Sequence, residues 1–596
     1  MKVQDHEKTR AFFARYDENI DIYFSSISEK QLKDEALWDL LVRQFSEKYD
    51  RLDDGWRGEF WGKLMRGASL IYAYNRDDEL YGILENTVVA LLQKLDKFGR
   101  ITTYPKSAEF RGWDMWTRKY VMLGLEYFYE ICPKSSLKRK IVAALKKQAD
   151  YIASHVGTGK NQICINDTSH AWGAVNSVSI IQPFVKLFQL SGEKKYLDYA
   201  AMLIRTQGVN GTNLFEIAYR NELAPFDYPI TKAYEIISCF EGLLDYFEAS
   251  GEEKCLTACI RFADKVLATD FTIVGGTGCR DEYFDNSTVK QVLYSDINKQ
   301  ETCVTVTLMK FLCSLFSHTG KATYIDAVET AFFNLYLGAL RDGECFGHLA
   351  QPMFYSYSPL LNNPRWTLMG GGKSLSSYAV FGCCVAIGAA GAGVIPTVGV
   401  TGTEEEAALN LFYSGEYLLT GATGKVRLKI ETRYPYDGEV QVHLLCGSAA
   451  GIFLKVRKPL WCKAFQARVN GNAATYAERE NYICFPFPLK VGDFLNLNFE
   501  MPIRIVKSES VNPAVNTFHA FVKGPIVLCA DSKDIDLAKN YSFEIDDKGN
   551  VIYRRIGDGV YCLKQKDGSE LEMKEYKSVG KDYYAPRDIS VWLKSK

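Results

Sequence analysis

Through the first two-thirds of the chain, apolar residues recur at i, i+3 and i+4, the spacing of helices that each bury one face. Short polar turns interrupt the pattern at regular intervals. YFYEICPKSSLKRKIVAALKKQADYI (127–152) is an apolar-periodic run, a turn and a second such run. The plan returns in LFQLSGEKKYLDYAAMLI around Gly192, YFEASGEEKCLTACIRFADKVL around Gly251 and LFSHTGKATYIDAVETAFFNLYL around Gly320. An earlier copy is IYAYNRDDELYGILENTVVALLQKL (71–95). Glycine at such a turn suits a helix C-terminus that needs a left-handed residue. The turns fall about sixty residues apart, room for one antiparallel helix pair and a loop. Five such hairpins, with a sixth expected after FGCC (381–384), predict an (α/α)6 toroid. A straight α-solenoid is the alternative, and its repeats usually run about 33–47 residues.

Beyond about residue 400 the period changes from helical to two. KVRLKIETRY (425–434), EVQVHLLC (439–446), GIFLKVRKP (451–459) and DFLNLNFEM (493–501) alternate apolar and polar positions. FQARVNGNAATY carries Asn470-Gly471, a tight-hairpin signal. These segments predict an antiparallel β-sandwich. FHAFVKGPIVLCAD and GVYCLKQ mark a further β-rich stretch from about residue 505. The expected fold is a multidomain α+β chain: an (α/α)6 barrel over 1–400, a β-sandwich over 401–505 and a second β-rich domain over 506–596.

The totals narrow the function classes. A chain of 596 residues is too long for one hydrophobic core. Lys and Arg number 71 against 72 Asp and Glu, so no net field draws nucleic acid or an anionic membrane. No run of 18 or more apolar residues exists to span a bilayer. The start, MKVQDHEKTRAFFARYDENIDIYF, has no apolar stretch of the secretory type. Sixteen cysteines are scattered without disulfide-module spacing, which predicts reduced thiols and a cytoplasmic location. Aromatic residues reach 13%, which suits a large helical core and also a sugar-binding cleft.

Unusual residues cluster just ahead of the first helix of each hairpin. GWDMWTRKY (112–120), INDTSHAWG (165–173), PITKAYEI (229–236), NKQETCVTV (298–306) and FGCC hold polar, aromatic or thiol residues that a packing helix does not need. In a toroid the first helices run parallel, so these five segments meet at one mouth. Glu301, Cys303, Cys383 and Cys384 then offer one carboxylate and three thiolates, a set suited to tetrahedral zinc. Residues i and i+2 do not share a helix face, so these ligands belong in a lead-in or a first helical turn. The plain alternative is two buried thiols and a capping glutamate. VGGTGCRDEYFDN (274–286) is a glycine-rich loop that presents Asp281 and Glu282, either a general acid/base or a solvated acidic turn.

Taken together, GGTGCRDEYFDN, QETCVTVTLMK and FGCCVAIG resemble glycoside hydrolase family 127, the β-L-arabinofuranosidase-like proteins. The resemblance runs from GWDMWTRKYVMLGL to the VNG hairpin and the KGPIVLC strand. It implies an (α/α)6 catalytic barrel followed by β-sandwich domains. It implies Zn2+ held by Glu301, Cys303, Cys383 and Cys384, with Cys383 as nucleophile and Glu282 as general acid/base. The implied reaction is a retaining exo-hydrolysis of a non-reducing-end sugar such as β-L-arabinofuranose, through a glycosyl–cysteine intermediate. A coordinated thiol is deprotonated outright, which makes such a nucleophile workable. The family carries histidines in segments near Ser179 and Tyr234, and this chain has none there, so it reads as a divergent branch. Candidate sugar contacts are Asp114, Trp116, Asp167, His170, Tyr234, Glu235 and Tyr355, with Trp172 and Tyr357 nearby; helix capping and aromatic packing are the plain alternatives. Competing functions are another (α/α)6 carbohydrate enzyme, an unsaturated glycuronyl hydrolase or a sugar epimerase, and a non-catalytic glycan-binding scaffold with structural zinc. The expected partner is a carbohydrate, with no nucleic acid and no membrane; a homodimer stays open.

Overall fold

The computed structural model describes residues 14–15, 20–52, 55–208, 211–278, 280, 282–293, 299–341, 353–365, 371–403, 405–420, 424–510, 512–531, 535–536, 539–581 and 587–595. Among these, six inner helices form a closed ring. They are Gly58–Asn75, Asp114–Ile131, Ile181–Ser191, Ala233–Ser250, Thr302–Thr319 and Cys383–Gly393, here the first to sixth inner helices. Each packs beside the next, and the sixth packs on the first. The first five are each followed by an outer helix: Asp78–Leu92, Ser135–His155, Lys194–Thr206, Glu253–Thr269 and Ala322–Ala331. Burial separates the two sets. The fourth inner helix is buried from Ala233 through Leu244 without a break, whereas Lys194–Thr206 buries one stripe, Tyr196, Ala200, Ala201 and Leu203.

The turn glycines act as the sequence predicts. Gly192, Gly251 and Gly320 have φ of 70°, 72° and 66°, and each backbone N–H donates to the carbonyl four residues back at 2.8 Å. The sixth hairpin is a correction. No helix pair follows FGCC: the chain makes one turn at Ile395–Thr397 and enters a strand. The N-terminal helix Asp21–Ile27 packs against the sixth inner helix instead, and Glu35–Glu47 against the first. These helices lie far in sequence from the sixth inner helix, so no local periodicity records that packing.

Two inner helices approach closely because glycine permits it. A Cβ on Gly62 of the first inner helix would lie 1.9 Å from the Tyr120 carbonyl oxygen of the second. The VAIGAAGAG run of the sixth helix serves the same purpose: Ala389 sits where a Cβ on Gly67 would come within 2.7 Å.

The β-sandwich consists of a seven-stranded and a five-stranded sheet. In the larger, Lys425–Thr432 pairs antiparallel with Glu439–Cys446, which pairs with Phe494–Phe499. Buried Leu428 and Ile430 face Leu444 and Val442, and Val440 faces Leu497, so the period-two pattern is one buried face. The hairpin at Asn470-Gly471 is a two-residue turn with φ of 50° and 82°, and Val469 pairs with Asn472 across it. One pairing in the smaller sheet, Phe453–Arg457 with Glu406–Leu409, is parallel. Arg457 joins sandwich to ring. It is buried, and its guanidinium reaches Asp326 and Glu329 of the helix Ala322–Ala331, at 2.6 Å each.

The C-terminal stretch, from Ile503–Lys507 on, supplies eight strands of a nine-stranded sheet whose ninth is Asn363–Pro364. It reaches back into the ring. Asp588–Ser590 pairs with Asn363–Pro364, the Tyr576 hydroxyl donates to the Pro359 carbonyl at 2.6 Å, and Arg365 Nε donates to the Val579 carbonyl at 2.7 Å. The segment so clamped carries the strand Tyr357–Pro359. No helix among the described residues is long and apolar enough to cross a membrane.

Candidate active site at the mouth of the helical ring

The thiols and their carboxylate meet at the N-terminal ends of the fifth and sixth inner helices. Lys299–Glu301 pairs antiparallel with Tyr357–Pro359, with Glu301 opposite Tyr357. Glu301 has extended backbone and caps the fifth helix, whose first turn holds Cys303. Cys383 and Cys384 open the sixth helix directly after the strand Ala379–Gly382. One ligand atom from each of Glu301, Cys303, Cys383 and Cys384 lies within 4.8 Å of the others. Cys384 Sγ is 3.5 Å from Glu301 Oε1 and Cys383 Sγ is 4.0 Å from it.

This donor set fits a metal ion. Ligands at about 2.3 Å (S) and about 2.0 Å (O) on a tetrahedron stand about 3.5–3.8 Å apart, close to the separations found. Glu301 Oε2 is buried without a hydrogen-bond partner, a position that costs free energy unless something else engages it. Cys303, Cys384 and Glu301 are buried, while Cys383 is partly exposed. Protonation divides the group the same way. Hydrogen bonds from the Cys303 and Cys384 thiols, helped by the charges of Lys63 and Lys232, hold Cys383 well below the usual thiol range. Burial pushes Cys303, Cys384 and Glu301 up.

Glu282 approaches from the glycine-rich loop. Its φ of 68° is left-handed, an unusual state for a side-chain-bearing residue and one that clusters at functional sites. The loop is zipped to the lead-in of the fourth inner helix: Phe284 N–H donates to Thr231 O at 2.7 Å and Ala233 N–H to Glu282 O at 3.0 Å. The carboxylate accepts from the Tyr357 hydroxyl on one oxygen and from Lys232 Nζ on the other. Tyr357 stands opposite Glu301 in the ribbon, and the charge of Glu282 helps to raise Glu301. Asp281, on the same loop, lies outside the described residues.

The remaining candidates divide. Trp116 and Tyr234 are brought together edge to face with ring centroids 5.2 Å apart, and the Tyr234 and Tyr120 hydroxyls are hydrogen-bonded. Lys63 Nζ lies 4.5 Å from the Tyr234 ring centroid and bonds Glu59 at 3.0 Å. Trp116 Nε1 donates to the other Glu59 oxygen. Burial pushes Glu59 up to about 7 against the pull of Lys63. Glu235 is buried beside Lys232, and burial pushes it up to about 7 as well. Trp172, φ 46°, donates from Nε1 to the Tyr283 hydroxyl at 2.8 Å and packs 5.4 Å from Trp113. Asp167 and His170 are exposed on the loop that carries it.

Two candidates are turned elsewhere. Asp114 is fully buried, and its oxygens accept from Thr102 Oγ1 at 2.5 Å, Phe110 N–H at 2.8 Å and Arg118 Nε at 3.0 Å. That carboxylate ties the loop before the second inner helix to the helix itself. The Tyr355 hydroxyl donates to the Lys581 carbonyl at 2.8 Å, so it anchors the C-terminal sheet. Ser179 is likewise buried, with its hydroxyl on the Asn176 carbonyl at 2.7 Å. Sequence reasoning passed over Glu59, Lys63 and Lys232. A signal for the first two exists: GEFWGKLMRG places a Glu/Lys pair four apart in a glycine-spaced apolar helix, ahead of the first hairpin as the other odd segments are.

Comparison with known proteins agrees with the geometry. Residues 8–393 match the GH127 β-L-arabinofuranosidase catalytic domain, and residues 406–501 match the middle domain of that family. A non-reducing end β-L-arabinofuranosidase of Bifidobacterium longum subsp. longum is 21% identical over 538 residues, covering 84% of this chain and 77% of that protein. The fold is shared with the solved GH127 β-L-arabinofuranosidase of Geobacillus stearothermophilus T6, with a TM-score of 0.75 at 18% identity over 98% of this chain and 100% of that one. A second solved GH127 β-arabinofuranosidase gives a TM-score of 0.73 at 18% identity, over 99% and 98% of the two chains. The catalytic-domain match covers well over half of the sequence and contains the whole thiol–carboxylate cluster, and the chain belongs to the GH127 β-L-arabinofuranosidase family of glycoside hydrolases.

Proposed function

We propose that the protein is a zinc-dependent retaining exo-glycosidase with Cys383 as nucleophile and Glu282 as general acid and base. The single observation that carries this reading is the asymmetry of the cluster. Of the four residues whose ligand atoms lie within 4.8 Å of one another, Cys383 is the one that is partly exposed as a residue and whose thiol is held below the usual range, and Glu282 reaches the same cluster through Tyr357. Glu301, Cys303, Cys383 and Cys384 would hold the ion. When bound, zinc keeps the Cys383 sulfur ionised at neutral pH and makes it a better leaving group.

The chain's own groups then supply the rest. The Cys383 sulfur attacks the anomeric carbon while Glu282 gives its proton to the departing oxygen. In the second half Glu282 takes a proton from water, the water oxygen bonds to the anomeric carbon and the carbon–sulfur bond breaks. Two inversions return the original configuration. In this reading Trp116 and Tyr234, packed edge to face, contact the sugar, and Trp172, Asp167 and His170 are further sugar contacts. The substrate class is a non-reducing-end sugar such as β-L-arabinofuranose, the activity named for the Bifidobacterium relative. Tyr234, Glu235 and buried Ser179 replace the histidines expected there, so the sugar is where this branch diverges. Barrel, sandwich and C-terminal sheet, divided near residues 400 and 505, form part of the same reading, with the chemistry in the barrel.

The test has three arms. Metal analysis of purified protein is expected to find equimolar zinc. A panel of aryl glycosides, L-arabinofuranosides first, is expected to show hydrolysis with retention by NMR. Cys383→Ser is expected to be inactive. Full activity without zinc, as an epimerase or glycuronyl hydrolase would have, or full activity in Cys383→Ser, overturns the proposal.

A further inference from the structure

Lys232 occupies an odd place for an ammonium group. It is buried at the lead-in to the fourth inner helix, with Nζ 4.5 Å from the Trp172 ring centroid and 5.4 Å from that of Tyr283. Those two rings are joined by the Trp172–Tyr283 hydrogen bond, so they form one apolar wall along the lysine. Its charged end sits on Glu282 Oε2, while Tyr357 sits on Oε1. With a donor on each oxygen, Glu282 is held as the carboxylate, the form that takes a proton in the second half-reaction. To give one, as the first half of a retaining hydrolysis demands, one oxygen must be released.

A second seat for the ammonium lies one helical turn away. Glu235 is three residues on, in the first turn of the same helix, and is buried. Its Oε2 has no hydrogen-bond partner. The charges of Glu235 and Glu282 both act on Lys232 and favour its charged form. The charged and titratable groups that bear on Glu235 include Lys232, Glu282, Lys63, Glu301 and the Cys239 thiol; those around Glu282 include Lys232, Tyr357, Glu301 and Glu235 itself.

We infer that Lys232 is a positioning residue with two seats, Glu282 and Glu235, and that its ammonium moves between them as Glu282 loses and regains its proton. This rests on the reading of Glu282 as acid and base. In the first half-reaction, Glu282 passes its proton to the leaving-group oxygen. Lys232 closes on the new carboxylate and leaves Glu235, which takes up a proton from solvent. In the second half, Glu282 takes the proton of the attacking water. Lys232 returns to Glu235, and the proton parked there goes back to solvent. One proton enters and one leaves, so the cycle balances. Burial has already brought Glu235 up to about 7, where such an exchange needs little driving force.

The prediction is a pair of opposite shifts. Lys232→Met removes the cation that opposes protonation of Glu282, and the alkaline limb of the kcat/KM profile is expected to move up by about one pH unit. Glu235→Gln removes the second seat and strands the ammonium on Glu282; the same limb is expected to move down by about one unit. Lys232→Arg is expected to retain the wild-type profile. A merely structural role would move both limbs alike or neither, and that result overturns the inference. A readout independent of turnover is the structure of the Glu282→Gln variant of the full chain. With a neutral amide at 282, Lys232 Nζ is expected on Glu235; an ammonium still seated on residue 282 overturns the two-seat arrangement whatever the activity data say. An active Cys383→Ser would sink the glycosidase reading, so the two failures are told apart.

Discussion

A thiol is a nucleophile to the extent that it has lost its proton, and at Cys383 hydrogen bonds and nearby cations outweigh the burial that opposes this. Two thiols donate to it, two lysines add positive charge, and as a residue it is partly exposed where Cys303 and Cys384 are buried. Cys383→Ser, with its far less acidic hydroxyl, is expected to lower kcat/KM by about a thousandfold or more in steady-state assays. Glu282→Gln is expected to cost about a hundred- to ten-thousandfold, with a smaller loss on aryl glycosides whose leaving groups need no proton. Comparing the two substrate types checks that role. The ligand residues were legible in the sequence because their spacing is peculiar on its face: Glu-x-Cys and Cys-Cys are rare adjacencies that suit the ends of helices. Glu59, Lys63 and Lys232 were not, because charged residues are ordinary at helix starts and theirs acquire meaning from Trp116, Tyr234 and Glu282, far away in sequence. Asp114 and Tyr355 were misread for the converse reason. Polarity near the mouth also holds the mouth together, and sequence does not reveal which partner an oxygen finds.

Helices packed in a ring leave little room for error on their inner faces. Gly62→Ala would drive a methyl group against the Tyr120 carbonyl oxygen; the loss is expected to be about 1–3 kcal/mol or more, read as a lower urea midpoint. Charge on an inner face has its own signature. Lys119 is fully buried over the rings of Trp116 and Tyr120, and burial lowers it to about 7 from 10.5. Below pH 7 the folded state bears the full cost of this cation, because the lysine is protonated whether folded or not. Between pH 7 and the unfolded value the folded state is already neutral, and the cost fades. Lys119→Met is therefore expected to stabilise the protein by about 2 kcal/mol at pH 6 and by almost nothing near pH 10, measured by urea denaturation at both. Five of the outer helices were readable because each hairpin is local, with its period and turn glycine in one stretch. The sixth outer position was not, because Asp21–Ile27 fills it from the other end of the ring sequence.

At the scale of the whole molecule, sandwich and ring share a buried ion cluster. Arg457→Met would leave Asp326 and Glu329 facing each other without their cation, and the expected loss is about 3–5 kcal/mol, seen as an earlier thermal transition. The switch from helical to two-residue period near residue 400 marked the passage from ring to sheets. What the period could not carry is how the last sheet serves the first. The strand Tyr357–Pro359 touches both carboxylates of the site, yet its outer side is gripped by Tyr576 and its extension by Val579 and Asp588–Ser590. A protease nicking the tail near Ser590, or a fused tag fraying it, would thus slacken the hydroxyl on Glu282 and silence turnover while the ring stayed intact. The last sheet behaves as a tensioner, and loosening it is expected to lower turnover while the thiol–carboxylate cluster keeps all its residues.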